Sequence, residues 1–140
     1  MPRDIDRLQR EIAELFSDLW QVPRYAGIRR YFRPAVDVYR RDTELRIVVE
    51  LPGVAPESVE LVAGARQLVL AGERERPKTP GSYEQMEIEY GRFERTVSLP
   101  ADVDANAAGA EYEHGILTIV LPLAQKPPAE NPVPIQLRAR

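Results

Sequence analysis

The stretch Ala110-Glu111-Tyr112-Glu113-His114-Gly115-Ile116-Leu117-Thr118-Ile119-Val120-Leu121-Pro122 decides the fold. Leu117, Ile119 and Leu121 alternate, which in an extended chain puts three aliphatic side chains on one face. Ile116 and Val120 fall on the opposite face, so this strand is apolar on both sides and is expected to be interior or grooved rather than half-solvated. Pro122 ends it, because proline has no N–H to give to a ladder. His114-Gly115 stands where a tight turn is needed, and glycine adopts positive φ without a steric penalty. The stretch therefore predicts a β-hairpin with an apolar second strand.

Working outward, residues 34 to 122 break into short strand-like runs. Val36 and Val38 alternate with polar neighbours over Ala35 to Arg40, and Glu44 to Leu51 carries Ile47, Val48 and Val49 before Pro52-Gly53 stops it. Ser58 to Ala63 carries Val59, Leu61 and Val62, and Gln67 to Glu73 carries Leu68, Val69 and Leu70. Phe93 to Leu99 and Asn106 to Glu113 follow. These runs with frequent turn signals predict an all-β, immunoglobulin-like antiparallel β-sandwich.

Arg74 to Gly91 is too long for a hairpin connection, and a structureless loop of that length inside a compact domain is unusual. Within it Met86, Ile88 and Tyr90 alternate with Gln85, Glu87 and Glu89. That piece has one apolar face and no evident partner strand in its own sheet. Either it packs on itself at the surface, or it pairs with an edge strand of a second molecule.

Two extensions flank the sandwich, dividing the chain into residues 1–33, 34–122 and 123–140. Over Asp4 to Trp20, Ile5, Leu8, Ile12, Leu15, Phe16 and Leu19 recur at three- and four-residue spacing, which predicts an amphipathic helix with Trp20 at its end. No second helical pattern follows to cover that stripe. The helix docks either on its own domain or on other molecules. Gln21 to Arg33 reads as an irregular linker. Beyond Pro122, Pro127, Pro128, Pro132 and Pro134 predict an extended, polyproline-like tail without helix or sheet. Val133-Pro134-Ile135 within it places two aliphatic side chains on one side of a stiff segment, a shape suited to filling two holes in a groove.

Composition narrows the function classes. The 140 residues include no cysteine, which excludes disulfides and cysteine-ligated zinc and fits a reducing, cytoplasmic setting. No apolar run approaches a membrane span, so no stable membrane insertion is expected. The net charge of −3 is unevenly spread. Residues 34–122 hold sixteen acidic and nine basic groups, against five and seven in residues 1–33 and one and three in residues 123–140. An acidic domain without a basic, aromatic-studded face argues against nucleic acid as a partner.

No catalytic residue, cofactor-binding residue or metal ligand set is expected. His114, the single histidine, sits in a turn. Asp102 with Asp104, and Glu111 with Glu113, read as solvated charge rather than as an acid and base pair. Gly64, Gly109 and Gly115 fall in turns and a hairpin, not in a phosphate-binding loop, and no ligand cluster suggests a metal.

Ala110, Gly115, Leu117, Ile119 and Pro122 stand at the spacing of the A-x-x-x-N-G-x-L-x-I-x-x-P signature that closes the α-crystallin domain, so the chain resembles the small heat-shock proteins of the bacterial and plant type. His114 replaces the usual asparagine and Leu123 the basic residue that often follows the proline. Neither breaks the turn or the strand, since histidine tolerates the left-handed region better than most residues. Leu51-Pro52-Gly53 is similar to the family's early L-P-G turn, Glu87 to Arg95 to its E-x-x-x-G-x-F-x-R segment, and Val133-Pro134-Ile135 to its I-x-I/V tail motif.

The resemblance implies an ATP-independent holdase that binds unfolding proteins and works as a homodimer assembling into a larger homo-oligomer. It implies that Tyr83, Met86, Glu87 and Ile88 cross to Val36 and Val38 of a neighbouring subunit, with Arg95 at that interface. Arg95 on a solvated strand face, pairing with Glu94 or Glu111, is the alternative. It further implies that Val133 and Ile135 enter a groove of another subunit between Ser58–Ala63 and Gly115–Leu121, lined by Val59, Leu61, Ile116 and Val120. The arm residues Ile5 to Trp20 would then take up clients. The alternative of a different kind is a monomeric β-sandwich co-chaperone of the CS-domain type, which lacks the apolar arm and the tail tripeptide. A hydrolase or sugar-binding sandwich is disfavoured for want of a site.

Overall fold

The computed structural model describes residues 32–125 and 132–140. The amphipathic stripe expected over Asp4 to Trp20 lies outside the described residues. Seven strands build the sandwich: β1 (Val36–Arg41), β2 (Glu44–Glu50), β3 (Glu60–Ala63), β4 (Gln67–Arg74), β5 (Gly91–Ser98), β6 (Gly109–Glu113) and β7 (Ile116–Pro122). Two short strands of the tail add to it, β8 (Val133–Pro134) and β9 (Leu137–Ala139). One sheet runs β1-β2-β7-β6-β9 and the other β5-β4-β3-β8.

Period-two patterning decides which face of each strand is buried. Leu45, Ile47 and Val49 of β2 lie opposite Leu121, Ile119 and Leu117 of β7, and all six are buried. They meet Leu61 and Ala63 of β3, Leu68 and Leu70 of β4, and Phe93 and Val97 of β5 in one core. β7 lies between β2 and β6, so its backbone is paired on both sides, while Ile116 and Val120 stand half-buried on the outer face of that sheet.

The hairpin β6-β7 turns on His114 (φ 55°) and Gly115 (φ 79°), both left-handed as a type I′ turn requires. Gly115 meets a second demand. A side chain there would put its Cβ 3.2 Å from Cα of Pro52, because the Leu51-Pro52-Gly53 turn packs directly on the hairpin. The Leu51 amide donates to the Gly115 carbonyl at 2.7 Å, and the Tyr112 hydroxyl donates to the Leu51 carbonyl at 2.6 Å. Two sequence motifs sixty residues apart thus form one structural joint.

The tail departs from expectation. It was expected to form no sheet, yet Val133–Pro134 and Leu137–Ala139 are strands. Proline is compatible with a sheet at an edge, where its missing donor faces outward. Strand limits elsewhere shift by a few residues, most at Asn106, which lies in a 3-10 turn (Ala105–Ala107) capped by the Asp104 side chain, with the Asn106 amide 3.1 Å from Asp104 Oδ1.

Candidate interaction surfaces

The sandwich has two open sides. At one side, β1 and β5 are the outer strands of their sheets, and the Arg95 guanidinium of β5 donates to the Pro34 carbonyl just before β1, at 3.0 Å. At the other side, β3 and β6 would be the outer strands if the tail did not cover them.

Residues 75–90, which join β4 to β5 on the first side, contain no strand. Tyr83, Met86 and Ile88 are 46%, 54% and 62% exposed, an unusual state for three large apolar side chains within six residues. Glu87 is exposed beside them, hydrogen-bonded to the Gln85 amide group. On β1, Val36 packs against the core while Val38 and its neighbour Tyr39 are exposed. The outer edge of β1 pairs with no strand among the described residues.

The root of the loop is fixed by Arg74, the one buried charged residue among those described, at 9% exposure. Its Nε and Nη2 donate to the Glu89 carbonyl, the former at 2.9 Å, and its Nη1 donates to the Pro52 carbonyl at 3.1 Å. The guanidinium lies 3.8 Å from the centre of the Phe32 ring and 5.4 Å from that of Tyr90. Arg76 continues the stack, 4.6 Å from Tyr90 and 5.4 Å from Tyr83. Carbonyl dipoles and aromatic faces thus replace a carboxylate as the partners of this charge. Sequence reading missed Arg74. Its only signal was an arginine at an inward-facing position of an alternating strand.

The alternative pairing of Arg95 with Glu94 or Glu111 requires a correction. Arg95 faces inward opposite Leu70 and takes a backbone carbonyl, and it has no carboxylate within 4 Å among the described residues. Glu111 lies on β6, at the far side of the sandwich, and Glu94 points to the opposite face of β5. Partial burial pushes the Glu94 carboxyl above its ordinary value of 4.5, against the pull of Arg33 and Arg95.

At the second side, Val133 lies opposite Ala63 and Pro134 opposite Val62, and the Ile135 amide donates to the Leu61 carbonyl at 2.9 Å. Alternation turns Val133 and Ile135 into the slot between the sheets, and Ile135 joins the core at 8% exposure. The tail then crosses to the other sheet, where β9 runs parallel to β6. The slot is therefore walled by β3 and β6, not by β3 and β7. Leu61 lines it and Val59 packs at its margin on the core, but Ile116 and Val120 do not: β7 is interior, and those two side chains lie on the outer face of its sheet. The expectation failed because strand order, which alternation does not report, puts β6 rather than β7 beside the open side where the tail lies.

A hollow of about 250 Å³ lies over Ser58, Glu60, Glu73, Arg92 and Phe93. The Ser58 hydroxyl there is engaged by the Ala55 and Glu73 carbonyls, so nothing in the hollow forms a nucleophile and base pair. No metal-binding cluster occurs among the described residues, and no helix among them is long and apolar enough to cross a membrane.

Residues 37–138 match the family described as Hsp20/alpha crystallin. The chain belongs to that family. Heat shock protein 16 of Schizosaccharomyces pombe is 31% identical over 131 residues, covering 89% of this chain and 92% of the relative. The alpha-crystallin of Mycobacterium bovis is 32% identical over 139 residues, with 94% of each chain covered. Among solved structures, a small heat-shock protein from Xylella fastidiosa superposes with a TM-score of 0.61 at 28% identity, covering 71% of this chain and 94% of that one. The Hsp20/alpha crystallin assignment supports a chaperone role rather than an enzymatic one, and the two-sheet sandwich is that of its structural neighbours.

Proposed function

We propose that this protein is an ATP-independent holdase, acting in the cytoplasm, whose unit is a homodimer formed by exchange of the loop 75–90. The single observation that carries the reading is the exposed face of Tyr83, Met86 and Ile88 on a backbone without ladder partners, on a root that Arg74 holds in place. The bare edge of β1, with Val38 beside it, has the pairing capacity that such a segment lacks. Pairing the two would satisfy both backbones and remove the apolar face from water. In this reading Glu87 and Arg95 flank the contact, Val133 and Ile135 join dimers into larger assemblies, and residues 5–20 take up non-native clients. The Xylella fastidiosa relative is described as having a distinct high order structure, which supports assembly beyond a dimer.

The test replaces Ser82 to Tyr90 by a short Gly-Ser link. Sedimentation at low concentration is expected to give folded monomers, and suppression of a heat-denatured client's aggregation, measured without nucleotide, is expected to weaken. A variant that still sediments as a dimer would place the pairing elsewhere. A wild-type protein that is monomeric throughout would favour the CS-domain kind of adaptor instead.

A further inference from the structure

We propose that Arg76 is an intramolecular clasp: stacked on Tyr83 and Tyr90 at once, it folds the loop 75–90 onto its own root and withholds it from the β1 edge of a neighbour. The clasp rests on the loop exchange proposed above and governs how readily that exchange happens. Every residue from Arg74 to Gly91 lies among the described ones, so both limbs of the loop belong to one continuous chain.

The order of residues places the cations. Arg74 ends β4 and Arg76 follows two residues later, a spacing that sends both side chains to the same side of an extended chain. Tyr90, on the returning limb, lies against both, 5.4 Å from the first guanidinium and 4.6 Å from the second. Between the limbs the chain bends at Pro80 and Gly81, the latter at φ 102°. Tyr83 thereby comes back to 5.4 Å from the Arg76 guanidinium. Thr79, and after it Arg76, draw the Tyr83 hydroxyl below its ordinary value of 10.0, as donors beside an ionising oxygen do. Arg76 meets no carboxylate within 4 Å among the described residues, so the two rings are the partners of its charge.

The clasped and paired forms exclude one another. One guanidinium touching both rings keeps their centres within about 10 Å of each other, the two contact distances laid end to end. As a strand, the seven steps from Tyr83 to Tyr90 span roughly 23 Å, more than two tyrosine side chains reaching toward each other can close. The segment must therefore leave Arg76 before it can lie along β1. A contact made only in the free subunit lowers the fraction competent to pair, and the apparent affinity falls with that fraction. Association is slowed while dissociation is untouched, because nothing of the clasp survives in the pair.

The test compares the full chain with its Arg76→Gln and Arg76→Lys variants. At a dilution that leaves single subunits, chymotryptic cleavage after Tyr83, read by mass spectrometry, tracks the freed fraction of the loop. It is expected to run about three- to tenfold faster in Arg76→Gln, as two solvent-exposed cation–π contacts warrant, and close to the wild-type rate in Arg76→Lys, which keeps a cation. Sedimentation is expected to show the Arg76→Gln dimer tightened by that factor for each loop that crosses. The rate at which isotope-labelled and unlabelled subunits mix, read by native mass spectrometry and set by dissociation, is expected to match the wild type. Cleavage after Tyr83 that is indifferent to Arg76→Gln would overturn the clasp. Faster cleavage with an unchanged or weaker dimer, or with altered mixing, would place Arg76 in the contact between subunits and overturn the withholding. A chain that is monomeric at every concentration, with cleavage that still depends on Arg76, would sink the loop exchange, and the withholding with it, while the clasp itself stands.

Discussion

Replacing Arg74 by methionine keeps the aliphatic stem and removes the charged head. Three donors are lost, two to the Glu89 carbonyl and one to the Pro52 carbonyl, together with the contact over Phe32 at 3.8 Å. Hydrogen bonds to a charged group contribute about 1.5 to 3 kcal/mol each when a partner is deleted, and a partly desolvated cation–π contact about 1 to 2. The sum overstates the effect, because the two carbonyls lie near the surface where water can reach them, and because burying the charge itself costs free energy. A net loss of about 2 to 4 kcal/mol remains. For a domain near 100 residues each kcal/mol moves the melting midpoint by about 4 to 8 °C, so the midpoint should fall by at least about 8 °C. The loop should be freed at the same time, since Glu89 and Tyr90 lose their anchor. Thermal melts by circular dichroism read the first effect and hydrogen exchange of residues 84–90 the second. A variant with an unchanged midpoint and unchanged exchange would show that the loop root is held by its own backbone, and that the Arg74 stack is incidental.

Three further outcomes follow. Gly72→Val should destabilise by about 1 to 3 kcal/mol or more, since a Cβ at that position stands 2.6 Å from Cζ of Phe93 and 2.8 Å from the Ser58 carbonyl oxygen, and the backbone oxygen cannot swing aside; urea titration measures it. Glu94→Gln should stabilise modestly near neutral pH. The folded carboxyl titrates above its ordinary value, so folding favours its protonated form, and the wild-type deficit opens as pH rises through that raised value and vanishes below the ordinary one; equal stabilities at pH 7 would refute it. Val133→Glu with Ile135→Glu should undock the tail and accelerate tryptic cleavage after Arg138 while the near-native β signal persists, because the rest of the core closes without them; loss of the sandwich would show the tail to be part of its folding unit.

Much of the fold was legible in the chain because strand patterning is local. Leu117, Ile119 and Leu121 could only be an inward face, and His114-Gly115 could only be a tight turn, since side-chain alternation and positive φ are properties of neighbouring residues. The tail tripeptide was recognisable for the same reason: Val133 and Ile135 share a side in any extended conformation. The family, too, was legible, because its motifs sit at turns and strand ends whose geometry restricts the residue types. Other features depended on which strands became neighbours. Ile116 and Val120 looked like groove residues until β7 proved interior, a matter of strand order that alternation cannot report. Arg95 was expected to need a carboxylate or carbonyl partner, but which one was decided by folding, which brought it the Pro34 carbonyl sixty-one residues away. Arg74 gave almost no local signal, because its partners Phe32, Pro52 and Glu89 come from three separate segments. The approach of Arg140 to Glu111 and Glu113 is likewise invisible in one dimension. Local sequence determines which face a residue presents, whereas only the packed sandwich determines what that face meets.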